Sequence, residues 1–235
     1  MASIGSTEFF IDVPSLPRDE FERYSTQLFD DWESYVDSAL KLPDYSIALE
    51  TEEGSVKAVG RVAAALGMLY IGIGQYGSFI SGLETINRQV RDVGDYLSDR
   101  AAAPFETSNK KPRVKRRGES LAKLKTLFAR VQRGEMTVDQ AMKEAESVFG
   151  DELKEAPEFV NALEDSLAKA PLLPRQIKLP LVDALGNDLI PGGKKRREVP
   201  RPSQPPQPVP VPEHYRVELW RESKQSKRNV RVSTW

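Results

Sequence analysis

Cysteine is absent from this chain, and histidine occurs once, at position 214. The first absence excludes disulfides, thiolate metal sites and cysteine nucleophiles. The second leaves His214, in a Pro-rich stretch, as the sole imidazole, so zinc chemistry and histidine catalysis are not expected. A chain without thiols suits a reducing compartment but is tolerated in any other. Phosphate-cradling glycine motifs are missing too: there is no GxxxxGK[ST] run, and Gly72 and Gly74 follow no recognisable nucleotide-fold strand. Carboxylate pairs such as Asp30 with Asp31 and Glu52 with Glu53 are adjacent in the chain, so they do not face each other on a helix, and no apolar pocket splits their pKa values. The expectation is a non-enzymatic protein with no cofactor and no metal. Residues 1–7 lack the basic and apolar regions of a secretory leader, so none is expected.

With 17 Pro, 29% charged residues and a mean hydropathy of -0.48, much of the 235-residue chain is expected to stay outside a core. The net charge of -1 hides an asymmetry, because residues 1–105 carry 8 Lys and Arg against 17 Asp and Glu, whereas residues 106–235 carry 26 against 18. The C-terminal half can therefore approach polyanions that the N-terminal half repels, or the halves can associate within or between chains.

Helical spacing dominates the first 170 residues. Phe21, Tyr24, Leu28, Trp32, Tyr35 and Ala39 recur on one face until Pro43, opposite a strongly acidic face. Residues 62–83 then run for 22 positions without a charge, long enough for a bilayer but diluted by five glycines. Gly74, Ser78 and Gly82 stand four apart, a small-residue stripe that permits close helix packing in a membrane or in a soluble bundle. The run admits a conditionally membrane-active helix, a buried helix or a permanent anchor. Leu83, Ile86, Val90, Val93 and Leu97 continue as a short heptad-like seam, which suits a bundle helix or a homo-oligomer. Leu121, Leu124, Phe128 and Val131 predict another helix. Thr137 with Gln140 forms a capping-box pattern before a helix closed by Gly150, and Pro157 can open the next.

The expected fold class is therefore all-α: an acidic helical domain over 1–105 with an apolar central helix, a basic linker over 106–118, a small helical unit over 119–170, and a docking segment with a disordered Pro-rich, basic tail over 171–235. The last residues, after His214, could form a terminal strand or a sticky arm. Two exposed basic clusters stand out: Lys110, Lys111, Arg113, Lys115, Arg116 and Arg117, and then Lys194, Lys195, Arg196 and Arg197. Such clusters contact phosphate backbones without reading bases, or engage import receptors. They also occur as inert solubilising linkers. VPRPSQPPQPVPVP favours polyproline II, as a spacer or a ligand for aromatic-lined grooves.

An apolar segment holding Leu179, Pro180, Leu181 and Leu185, followed by Lys194, Lys195, Arg196 and Arg197, resembles in its order the C-terminal part of polyomavirus minor capsid proteins. There an apolar plug docks into the major capsid protein just before a basic import and DNA-contact signal; this chain has no Trp in that segment. Ala145, Ser147, Val148, Phe149, Gly150, Ala156, Pro157, Glu158 and Phe159 are similar to part of the inner scaffold protein of birnaviruses. Both resemblances imply a virion component that joins a capsid shell to nucleic acid, with passage through host nucleus or cytoplasm and conditional contact with a membrane. The competing expectation is a cellular helical adaptor with a Pro-rich tail and nuclear-localisation segments.

Overall fold

In the computed structural model, described for residues 1–13, 15–54, 56–105, 112–172 and 214–234, six strands form one antiparallel sheet, correcting the all-α expectation. The elements run β1 (Ala2–Ile11), α1 (Arg18–Ala39), β2 (Ser46–Glu52), β3 (Val56–Ala64), α2 (Leu66–Gly74), α3 (Phe79–Ala102), β4 (Arg113–Arg117), α4 (Glu119–Gln132), α5 (Val138–Phe149), a 3₁₀ turn (Gly150–Leu153), α6 (Pro157–Ala168), β5 (Tyr215–Arg221) and β6 (Asn229–Thr234). Strand order across the sheet is β4-β1-β3-β2-β5-β6.

Strands β2, β3 and β5 follow the two-residue alternation of a sheet with one covered face. In β3 the buried positions are Val56, Ala58, Gly60, Val62 and Ala64, and the residues between them are partly or fully exposed. In β1 the alternation is broken by a bulge between Ser3 and Gly5, after which Thr7, Phe9 and Ile11 point inward. The covered face lies under α1 and α3. Trp32 of α1 donates its indole N–H to the Val93 carbonyl of α3 at 3.2 Å, and Tyr35 stacks on Tyr96 with centroids 4.1 Å apart. Ser25 of α1 bonds the Thr51 hydroxyl at 2.8 Å, and Thr51 donates to the Val217 carbonyl at 3.2 Å, so a buried polar chain links helix layer to sheet. Gly60 is required at the centre of this contact, because a Cβ there would collide with Leu97 and lie 3.3 Å from Trp32.

The uncharged run of residues 62–83 is not one helix. Its first three residues finish β3, α2 follows, and a turn leads into α3. No helix among the described residues is long and apolar enough to cross a membrane. Gly74 ends α2, Ser78 caps α3 by accepting from the Ser81 amide, and Gly82 lies inside α3, so the three do not share a helical stripe. Gly82 does set a close helix approach: a Cβ there would lie 2.5 Å from the Ile73 carbonyl oxygen.

The helices expected over 119–170 are present, and the capping box of Thr137 and Gln140 opens α5 as its pattern requires. Phe159 of α6 meets Phe79 of α3 at 5.5 Å between centroids and Phe149 of α5 at 6.0 Å. These helices thus share a core with α3 and are not a free-standing unit. Residues 214–234, for which a terminal strand or a sticky arm was the expectation, complete the sheet as the two strands β5 and β6. Every described residue belongs to one compact unit.

Candidate nucleic-acid interface

The sheet has one face under the helices and one that carries no fully buried residue. Strand register arranges the second face in rows. Arg113, Phe10, Lys57, Glu52, Arg216 and Ser233 lie side by side across all six strands. The next row is Lys115, Glu8, Val59, Glu50, Glu218 and Arg231, and a third runs from Arg117 through Ser6, Arg61 and Ala48 to Trp220 and Asn229.

The cations in these rows are used unequally. At the centre, Lys57 reaches Glu52 at 3.2 Å, Arg61 reaches Glu50 at 3.7 Å, and Arg216 is shared between Glu52 at 2.6 Å and Glu50 at 3.4 Å. On β4, by contrast, Arg113, Lys115 and Arg117 are exposed and form no ion pair with a described residue. Glu8 stands opposite Lys115 in register but makes no ion pair with it. Arg116, on the other face of the strand, pairs with Asp95 of α3. Phe10, 36% exposed, lies beside Arg113 and adds an aromatic surface.

The first basic cluster, read as a linker, is thus largely a strand: residues 113–117 hydrogen-bond to β1, and Lys110 and Lys111 fall outside the described residues. The second cluster, Lys194, Lys195, Arg196 and Arg197, and the apolar positions Leu179, Pro180, Leu181 and Leu185 also fall outside them. Nothing in the charge run announced a strand, because RVKRR has one apolar residue and its Val114 faces the covered side opposite Phe9.

Where β4 passes directly into α4, a recess of about 340 Å³ opens between the strand end and α3. Asn87, Arg91 and Asp95 line it from α3, and Arg116, Arg117 and Gly118 from the strand-to-helix junction. Gly118 is required there, since a Cβ would stand 2.9 Å from that of Ala122 and 3.4 Å from Asn87 Oδ1. Glu119 follows with φ of 40°, the one non-glycine residue with positive φ among the described residues. Its carboxylate accepts a 2.8 Å hydrogen bond from the Ser6 hydroxyl. Sequence reasoning missed Asn87 and Arg91, which are ordinary polar positions in a helical pattern.

At the opposite end of the sheet, Arg221 of β5 is 6% exposed and sits under α1. It contacts Glu33 at 2.6 Å and Asp37 at 3.1 Å, and its guanidinium lies 5.6 Å from the Tyr45 ring centre. Burial and the bond to Asp37 push the Tyr45 hydroxyl well above the ordinary phenol range. Burial works against the Asp37 carboxylate, but the Tyr45 hydroxyl and Arg221 outweigh it and hold its pKa below the usual value. Every charge in this cluster has a close partner, which marks it as a clamp on β5. His214 lies 3.6 Å from Glu53 in the turn after β2. No group of three or more metal-ligating side chains occurs among the described residues.

No family model, no curated protein and no solved structure matches this chain.

Proposed function

We propose that this chain is a non-enzymatic nucleic-acid-binding structural protein, in which the β4 edge of the open sheet face holds phosphate backbones without reading base sequence. The observation that carries the reading is the set of Arg113, Lys115 and Arg117, exposed at alternate positions of an edge strand and without an ion pair to any described residue. Cations neutralised by neighbouring carboxylates gain little from a phosphate. Unpaired ones release condensed counterions on binding and supply most of a non-specific affinity. Phe10 beside Arg113 offers a ring on which an unpaired base can stack. The particle half of the reading is supported by the order of Leu179, Pro180, Leu181 and Leu185 ahead of Lys194, Lys195, Arg196 and Arg197, with a capsid shell protein as the partner.

The test is a titration of the full chain against labelled single-stranded and duplex oligonucleotides over a range of salt concentrations. Binding should fall steeply with salt and vary little with base sequence. Arg113→Gln with Lys115→Gln should lower the duplex salt slope by about 1.8, from about 0.9 per lost phosphate contact. A slope unchanged in the double variant, or no binding at about 50 mM salt, removes the β4 reading. If these residues serve only to keep the edge from pairing with another sheet, the double variant will aggregate with no change in affinity.

A further inference from the structure

We infer that the open sheet face binds single-stranded nucleic acid in preference to duplex, with Trp220 of β5 as a platform for base stacking in addition to Phe10. The inference rests on the function proposed above and names the form of its ligand.

Among the described residues, Phe10 and Trp220 are the only aromatic side chains that the strands turn to the open face. Register places Trp220 between Ala48 of β2 and Asn229 of β6, two short neighbours. The indole is partly exposed and has no ring contact or hydrogen bond with a described residue. Trp32 shows the contrast, being buried with its N–H bonded to the Val93 carbonyl. An indole left partly in water offers a flat face on which any base can stack.

Each of the two rings also stands beside an exposed cation that makes no ion pair with a described residue. Phe10 is in register with Arg113, and Arg231 of β6 lies diagonally across from Trp220. Diagonal neighbours about 7–8 Å apart remain within reach of long side chains. Glu218 faces Arg231 in register without closing an ion pair, so the guanidinium stays exposed. Both ends of the face thus combine a ring for a base with a cation for its phosphate. Phe10 shares its row with Arg216, and Trp220 is four residues further along β5. Three strand spacings of about 4.8 Å and four residues of about 3.3 Å set the two rings roughly 20 Å apart. A short extended strand covers that diagonal. Between the rings, Glu50 and Glu52 are neutralised by Lys57, Arg61 and Arg216, so the attraction is concentrated at the two ends. A duplex keeps its bases stacked on one another and offers neither ring a partner, so the aromatic contribution goes to unpaired strands alone.

The experiment compares the binding of a labelled oligo-dT of about 10 nucleotides, inside the usual range for single-strand sites, with that of its duplex with oligo-dA, by fluorescence anisotropy on the full chain. The single strand should bind more tightly. Trp220→Ala should weaken it about tenfold, the loss of one stacked base, and leave the duplex unchanged. Trp220→Phe should keep most of the affinity because a ring remains, whereas Trp220→Leu, apolar but without a ring, should behave as the alanine variant does. Thermal unfolding of the three variants provides the control for folding. Duplex bound as tightly as single strand by the wild-type chain overturns the inference, as does single-strand affinity unchanged in Trp220→Leu; both spare the β4 reading. Equal weakening of single strand and duplex in the ring-free variants also overturns it. Single-strand binding that depends on Trp220 but not on Arg113 and Lys115 supports this site and removes the β4 reading. No binding of either oligonucleotide overturns both, and Trp220-dependent self-association in sedimentation would then assign the face to a second copy of the chain.

Discussion

The two ends of the sheet are both rich in arginine, and they use it in opposite ways. At the β5–β6 end, Arg221 is buried against Glu33 and Asp37, Arg216 is held by Glu50 and Glu52, and Arg228 of the connecting turn pairs with Asp30. At the β4 end, Arg113, Lys115 and Arg117 face solvent without an ion pair to any described residue, and among the described carboxylates Asp95 meets Arg116 alone of these cations. The acids of α1 explain the difference. Asp30, Glu33 and Asp37 lie along the part of that helix that overhangs β5, so the acidic half of the chain closes on the basic C-terminal strands. Intramolecular charge complementarity is thereby largely spent at one end, where among the cations of β5 and β6 only Arg231 makes no ion pair with a described residue, and left open at the other. Basic character alone therefore does not mark an interface; the distinction lies in which cations the fold has already neutralised.

The sharpest way to break this comparison is Arg221→Met. Removing one partner from a buried ion pair costs about 3–5 kcal/mol. Glu33 and Asp37 retain some solvent contact, with side chains 22% and 37% exposed, so the loss should fall to about 2–3 kcal/mol. Urea denaturation would show it as a lower midpoint. A midpoint unchanged within error would mean that Arg221 is no clamp.

A smaller effect of the same cluster should appear in acid. Asp37 has its pKa lowered in the folded chain, so its stabilising contribution is complete above the unfolded carboxylate value of about 3.9 and is lost as pH falls through the lower folded value. Tyr45, Arg221 and Lys224 face this carboxylate and favour its charged form, and Glu33 shares Arg221 with it. Asp37→Asn should therefore be less stable than wild type at neutral pH, and the two denaturation midpoints should draw together below about pH 4. Parallel curves down to pH 2 would show that Asp37 gains nothing from the cluster.

All the helices but α2, which was merged into one long uncharged run, were legible because their apolar residues keep a 3.6-residue period and some carry end signals: Pro17 before α1, the Thr137 and Gln140 box before α5, Pro157 at the start of α6. The sheet was hidden for three separate physical reasons. In β1 the bulge after Ser3 shifts the alternation in mid-strand. In β3 the inward residues include Gly60 and two alanines, so the inward face is weakly apolar, and its end merges with the uncharged run that continues into α2. In β5 and β6 the alternation is plain, as Val217 and Leu219 face Val232 and Val230, but this hairpin joins the sheet through β5, which pairs with β2 across more than 160 residues of chain, and no local pattern reports so distant a partner. The basic positions of the candidate interface could be read as charges; their division into paired and unpaired could not, since it depends on sheet register.

The smallest expected effect is the stability change on removing the unpaired charges of β4, and its smallness is the point of the measurement. Arg113 and Lys115 contribute no ion pair and project from the open face of an edge strand, so the fold gives up no contact when they become glutamine. Two residues apart on a strand, they sit about 6.7 Å from one another. Like charges at that distance in water repel by about 0.6 kcal/mol, so the double variant loses a small repulsion along with the weak attraction of Lys115 to Glu8. These terms nearly cancel, and the denaturation midpoint should move by no more than about 0.5 kcal/mol, the usual range for surface changes. A loss above 1 kcal/mol would show that the β4 charges hold the fold together as those of β5 do, and the contrast between the two ends would collapse. An unmoved midpoint combined with a flattened salt slope for nucleic acid would separate binding from stability, which is the behaviour expected of cations the fold leaves free.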